Sequence, residues 1–543
     1  MGAKNLVFGG LCLTGVLALA SSLRPRVTPE QWQDFDPAPY KQAGFKEAVA
    51  KINRSFRELW LQAGLAPSPK ADDLAIARRV SLALTGAIPS LEEVRLLQSR
   101  DEAHRIDWWV AGLLKDRRAS DYLSERFARA FVGVIDGPFL VYRRRRFVSW
   151  LSEEIHNNRP YDELVRTLIA SDGLWTSEPA SNFITVAIKP DDNDVGVQEN
   201  VLASRVARSF LGVRLDCSEC HDHPFQEQWK QSHFNGLAAF FGPAENSLVG
   251  VRDGRSTYQV EDRDTLERRT VEPSVPFLAE LCPDAGLPRQ RLAQWVTHPK
   301  NKAFARAIVN RAWAIMFGRP LVQPVDNIPS EAPLPPALDV LADDFVAYGY
   351  DLQRLLHLIA ASEVFQLDSA ADPNRPGQEL TERHEELWAT FPMIRLRPEQ
   401  VVGGVLQAAS LATLDYQSHV LFRAIKAAST NDFVQQYGDF GEDEFSDRGG
   451  TIPQRLLMMN GELIRDRTVE GLLQASSRIA QLAPDDATAV ETAYLVVLSR
   501  RPLAEESAHF QARLRGAQST DRNGAMEDMV WTLLNSTEFS WNH

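Results

Sequence analysis

Residues 45–59 read Phe45-Lys46-Glu47-Ala48-Val49-Ala50-Lys51-Ile52-Asn53-Arg54-Ser55-Phe56-Arg57-Glu58-Leu59. Phe45, Val49, Ile52, Phe56 and Leu59 recur every three or four positions, which gathers them on one face of a helix. Glu47 and Lys51, four apart, form a solvent-face pair. Gly64 supplies a stop. The same period recurs along the chain. After Pro89, Ser90-Leu91-Glu92-Glu93 is a capping box that opens a helix running through Leu97. Further amphipathic runs cover about 105–135, 145–170, 197–212, 288–317, 335–365, 398–413, 453–475, 484–498 and 503–516. The fold class that follows is mainly α.

One stretch breaks the pattern. Between Val249 and Pro273, Thr257, Tyr258 and Val260 alternate with polar residues, and a charged turn leads to Thr270-Val271. This reads as a short β-hairpin inserted between helical regions. Pro-rich segments at 324–336 and 371–377 read as connectors, and no fixed-period repeat is evident.

With 543 residues the chain is too long for one ordinary core, and two to four domains are expected. Hydrophobic residues at 44% and charged residues at 24% are ordinary globular values. A net charge of −13 repels phosphate backbones, so nucleic acid is not expected as a partner. The run Arg143–Arg146 is read as a solvated or carboxylate-paired face, the alternative being a phosphate or haem-propionate clamp.

The N-terminus has the pattern of an export signal. Lys4 precedes an apolar stretch from Leu6 to Leu23, and Ala18-Leu19-Ala20 fits a small-residue cleavage site. At 18 residues the stretch is also long enough for an uncleaved membrane anchor. Cys12 lies within it, preceded by Leu11, which argues against lipoprotein processing. A periplasmic or other extracytoplasmic location is expected, secreted or anchored by residues 6–23.

The chain has only four Cys, and two of them fall in Leu215-Asp216-Cys217-Ser218-Glu219-Cys220-His221-Asp222-His223-Pro224-Phe225. Cys-x-x-Cys-His is the attachment signature of c-type haem: two thiols bond the macrocycle and the adjacent imidazole ligates iron. Three readings stay open. In the first, Cys217 and Cys220 tether haem c, His221 is the axial ligand, and Asp222 or His223 orients its ring. In the second, Cys217, Cys220, His221 and His223 bind zinc, although four ligands in seven residues are crowded. In the third, the cysteines are a disulfide or free thiols and no cofactor is present. His233 and Met316 are the candidates for a sixth iron ligand, Met316 lying beside Trp313 and Phe317 where packing is its ordinary role.

Other candidates are weaker. Asp191, Asp192 and Asp194 before Gly196 hint at a calcium loop, but Val195 and Leu202 occupy ligand positions. The acidic cluster Asp439–Asp447 reads as an exposed loop. His104, His156 and His357 are treated as structural. Walker, dinucleotide, Gly-x-Ser-x-Gly and His-Glu-x-x-His signatures are lacking.

Several ordered segments carry a resemblance. They begin with Arg78-Arg79-Val80-Ser81-Leu82-Ala83-Leu84-Thr85-Gly86 with Pro89, Asn158-Arg159-Pro160-Tyr161-Asp162 with Ala170-Ser171-Asp172-Gly173, and Leu211-Gly212 with Cys217 through Phe225 and Ala238-Ala239-Phe240-Phe241. Asn310-Arg311-Ala312-Trp313, Phe317-Gly318-Arg319, Pro324-Val325-Asp326, Gly349-Tyr350-Asp351-Leu352, Met459-Asn460-Gly461 and Arg500-Arg501-Pro502 follow in the second half. Over about residues 45–540 the chain resembles the large exported proteins of planctomycetes that pair domains of unknown function 1549 and 1553, often linked to a cytochrome-c-like module. Ala83 and Gly403 stand where that family usually has Asp, and the Glu125–Arg129 block lacks the usual Trp and Asp. The resemblance implies an N-terminal helical domain over 45–245, a β-containing insertion over 246–280 and a C-terminal helical domain over 281–540, two closely packed units after a signal at 1–23. It supplies no established reaction.

The functional expectation is a c-type haem protein handling electrons outside the cytoplasm, with a redox or surface-protein partner of unknown identity. The alternative is a non-redox binding or scaffold protein whose Cys/His block is a metal or disulfide clip. A polysaccharide hydrolase is a third class, for which no carboxylate pair stands out in the sequence.

Overall fold

A computed structural model describes residues 43–134, 142–188, 196–224, 226–247, 249–261, 266–329, 333–375, 379–414, 433–434, 436–437, 445, 451–461, 463–465 and 474–543. The predicted export segment, the Asp191–Asp194 group and nearly all of Asp439–Asp447 lie outside these residues. The fold is mainly α-helical, as the periodicity predicts.

The opening helix spans Ala43–Ala63. It buries Phe45, Ile52, Phe56 and Trp60, and Phe56 stacks on Trp313 at 5.7 Å. Glu47 and Lys51 pair in water at 2.8 Å. Gly64 follows in the left-handed region (φ 67) and ends the helix. Ser90 caps Leu91–Gln98 with the expected reciprocal box to Glu93.

Several predicted runs are each two helices. The 105–135 run divides into Arg105–Lys115 and Arg117–Val132, because the Asp116 carboxylate accepts from the Arg118 N–H at 2.8 Å and starts a new helix. The 145–170 run divides at Asn158 (φ 50) into Arg144–His156 and Tyr161–Ala170. The 335–365 run divides at Tyr350 (φ 59), where Asp351 caps Leu352–Ala361. These last two breaks bind each other: Asn158 Nδ2 donates to Asp351 Oδ1 at 2.9 Å, and the Tyr161 N–H donates to the Tyr350 carbonyl at 3.1 Å. Local period therefore gives way where distant loops satisfy each other's polar groups.

The β region also departs from the single hairpin expected over 249–273. Ala244–Ser247 pairs antiparallel with Gly250–Asp253, and Gln259–Glu261 pairs with Arg268–Thr270. The second pair is the predicted one. The first forms because Gly250 (φ 99) lets its backbone touch Gly173, where a Cβ would lie 2.2 Å from the Gly173 carbonyl carbon. A third pair, Ile394–Arg395 with Trp541–Asn542, ties the chain's last residues to its middle.

The two halves of the chain share one continuous core. Arg78 and Arg79, both buried, carry much of the polar stitching. Arg78 donates to the Val497 carbonyl at 3.1 Å, and Arg79 donates to the carbonyls of Leu367 at 2.6 Å and Phe365 at 3.1 Å. A buried guanidinium is costly where its donors are unmet, and carbonyls from distant segments accept from both side chains, although Arg78 Nε itself has no acceptor among the described residues. Arg126 pairs with Glu399 at 2.6 Å across the same seam. Gly403, on the Pro398–Ala408 helix, allows that helix to touch the Gly86 turn. Among the described residues, no helix is long and apolar enough to cross a membrane.

Candidate functional site: the cysteine turn

The Glu199–Val206 helix widens into a π-helical turn, Ala207–Leu211, and ends at Gly212 in the left-handed region (φ 62). Val213 and Leu215 then dive into the core, and the chain tightens into a 3-10 turn over Asp216–Glu219. Ser218 is fully buried and its N–H donates to the Leu215 carbonyl at 2.8 Å. With three residues per turn, positions 217 and 220 stand one turn apart on the same side. Cys217 and Cys220 are both exposed free thiols.

The three histidines near the turn differ in the nitrogen they have to spare. His221 Nδ1 lies 2.7 Å from the Asp222 carbonyl oxygen. A carbonyl can only accept, so Nδ1 carries a proton, and in the neutral ring Nε2 keeps its lone pair. His223 Nδ1 instead accepts from the Gln226 N–H at 3.1 Å, and His233 Nδ1 accepts from the Lys230 N–H at 3.3 Å. When neutral, those two rings hold their proton on Nε2. His221 is exposed; His233 is half-buried against Trp229, with ring centroids 6.4 Å apart.

The Asp222 carboxylate does a different job from its carbonyl. It accepts from the Gln231 N–H at 2.9 Å, at the start of the Gln231–Ala238 helix, and pairs with Lys230 at 3.4 Å. The Gln231 N–H, then Lys230 and His233, hold this carboxyl below the usual range. The oxygen that meets the imidazole of His221 thus belongs to the main chain, and the Asp222 side chain braces the loop that follows. Met316 is fully buried on the Lys302–Phe317 helix, beside the stacked pair Trp313 and Phe317.

The second half of the chain holds the turn in place. Asp326 is buried and its carboxylate takes Arg208 at 2.7 Å and Arg214 at 2.7 Å. Burial alone would raise the Asp326 carboxyl, but the Arg214 and Arg208 guanidiniums outweigh it and hold it below the usual carboxylate range. The Ile328 N–H donates to the Gly212 carbonyl at 2.7 Å, closing the same clasp. Sequence reading did not assign Asp326 a role; its only signal there was membership of the Pro324-Val325-Asp326 block.

The family described as PSCyt2, protein of unknown function (DUF1549), matches residues 51–246, and that described as PSD1, protein of unknown function (DUF1553), matches residues 288–514. The chain belongs to this paired-domain family. The cysteine turn lies within the first matched region and the Asp326 clasp within the second, so the turn is built by both. No curated protein and no solved structure matches the chain.

As a donor set, two exposed free thiols and one imidazole with Nε2 available suit covalent haem, which needs two thioethers and one axial nitrogen. A four-ligand metal clip is less well matched. Among the described residues, no three His, Cys, Asp or Glu side chains come together as a set that could hold a metal ion. Within the Arg143–Arg146 run, Arg144 grips Glu125 at 2.8 and 2.9 Å, the Arg143 guanidinium lies 4.9 Å above Trp175, and Arg145 and Arg146 are exposed.

Proposed function

We propose that Cys217 and Cys220 carry a covalently attached haem with His221 as its axial ligand, and that the protein handles electrons outside the cytoplasm. The observation that carries this reading is the hydrogen bond from His221 Nδ1 to the Asp222 carbonyl. It fixes the tautomer in which Nε2 is free to ligate and sets the ring's orientation. Bound there, the haem would supply one-electron redox chemistry. The protein's part is to present the thiols on one side of a turn braced by Ser218, Asp222 and Asp326. Exposure of both thiols favours exchange with a docked redox partner over chemistry in a closed site. The apolar stretch from Leu6 to Leu23 would deliver the chain to the compartment where such haem is attached.

The test is a pyridine haemochrome spectrum on protein exported from a host with c-haem maturation, beside the Cys217→Ala/Cys220→Ala variant. A c-type band in the parent and none in the variant supports the reading. No band in the parent, with a control cytochrome matured in the same cells, refutes it and leaves the turn as a structural clip.

A further inference from the structure

The cysteine turn forms one wall of a cavity of about 530 Å³. The Glu199–Val206 helix forms a second wall, and Arg311 and Asp326 from the other half of the chain close it. Exposed Gln198 and Glu219 stand at its mouth. Its floor is Ser209, Arg311 and Asp326, each more than nine-tenths buried. The volume falls in the range of small-molecule pockets, and a seam between domains is where such pockets form.

The lining decides the chemistry. Carboxylates from Glu199, Asp216 and Glu219 line it together with the guanidiniums of Arg205, Arg208 and Arg311, of which Arg208 pairs with Asp326 and Arg205 donates to the Phe131 carbonyl at 3.2 Å. An anion would face the three carboxylates, and a cation would face the guanidiniums. An apolar ligand would strand both kinds of group. A hydroxyl both donates and accepts, so a ligand rich in hydroxyls can answer carboxylate and guanidinium in turn. Ala130 and Val201 are the apolar lining residues, so hydrogen bonds rather than ring stacking would do the recognising. The wall is also pre-set. Asn200 Nδ2 donates to Glu219 at 2.9 Å, and Asn200 Oδ1 accepts from the Tyr258 hydroxyl at 2.6 Å. Burial, with the Glu199 and Glu219 carboxylates adding to it, pushes the Tyr258 phenol up to about 12, so it remains a donor at neutral pH.

We propose that this cavity binds a neutral, polyhydroxylated small molecule of mono- or disaccharide size. The inference goes beyond the haem reading and does not depend on it, since neither thiol lines the cavity.

The test is saturation-transfer NMR and calorimetric titration of the full chain with glucose, galactose, xylose and cellobiose, beside glucuronate and glucosamine as charged counterparts. At least one neutral sugar is expected to bind, with the charged sugars about tenfold weaker or more. Ser204→Trp fills the cavity and is expected to abolish binding. Asn200→Ala, a milder change, is expected to weaken it about tenfold. Binding by none of the neutral sugars, tighter binding of a charged one, or unaltered binding by both variants with native circular dichroism would overturn the proposal. The Cys217→Ala/Cys220→Ala variant is expected to bind as the parent does, so an absent haem band leaves this inference standing.

Discussion

Asp326 Oδ1 lies 2.7 Å from a terminal guanidinium nitrogen of Arg214, a contact between residues 112 apart in sequence that fixes the approach to Cys217. The other Asp326 oxygen takes Arg208. One carboxylate therefore anchors both the π-helical turn and the segment that leads from it into the cysteine turn, and it comes from the other matched domain.

Asp326→Asn is expected to cost about 2 kcal/mol at neutral pH, the worth of charge-assisted hydrogen bonds that become neutral. The sign of its pH dependence follows from its depressed folded-state value. The stabilisation is complete above the unfolded-state value of about 4 and is lost as pH falls through the lower folded-state value. The difference in melting temperature between parent and variant should be widest at neutral pH and shrink below about pH 4. A difference that does not change with pH would show that the carboxylate's charge is not what holds the turn.

Gly403→Ala is expected to destabilise the fold by about 1–3 kcal/mol, the cost of overpacking a close contact. A Cβ there would sit 2.1 Å from the Gly86 carbonyl oxygen, which is backbone and cannot swing aside. Denaturant titration of the single variant measures it. Glycine at 403 is what lets the helix and the turn stay in contact.

Arg79→Met keeps most of the apolar bulk of the side chain and removes its donors. The carbonyls of Phe365 and Leu367 and the backbone oxygen of His543 lose their partner, and the stacking over Phe391 at 3.8 Å is lost. A loss of about 3 kcal/mol or more is expected. Arg79→Lys should recover only part of it, because an ammonium cannot span the same fork. Equal stability of Arg79→Lys and the parent, by calorimetry, would count against the fork.

In protein produced without haem maturation, brief alkylation followed by peptide mapping should label Cys217 and Cys220 before Cys282. The first two are exposed, whereas burial pushes the Cys282 thiol up and leaves less thiolate. Labelling of Cys282 ahead of either of the others would contradict the exposed geometry of the turn.

The sequence disclosed what local chemistry decides. The Phe45–Leu59 stripe, the Ser90–Glu93 box and the hairpin of Gln259–Glu261 with Arg268–Thr270 depend on residues within a few positions of each other, and each formed as read. The helix breaks at Asn158 and Tyr350 were not legible, because each is stabilised by the other across some 190 residues. The same holds at the site. The cysteine spacing was visible at once, but a main-chain carbonyl as the partner of His221 is silent in sequence, since every residue has one. The cavity was invisible for a related reason: Glu219, Asn200, Arg311 and Asp326 become neighbours only when the two halves of the chain close on each other.

The bonds of Arg78 and Arg79 to Val497, Phe539 and His543 also set an order of events. Phe365, Leu367 and Val497 can meet these guanidiniums earlier, but the Phe539 and His543 carbonyls reach them only when residues near 540 have left the ribosome. The polar seam of the N-terminal core therefore stays incomplete until the most distant segment arrives. A chain arrested before Ser536 should be digested by protease across its first domain, whereas the released chain should resist. Late closure would then act as a built-in delay, so that the N-terminal core locks only after the distant segments have been made.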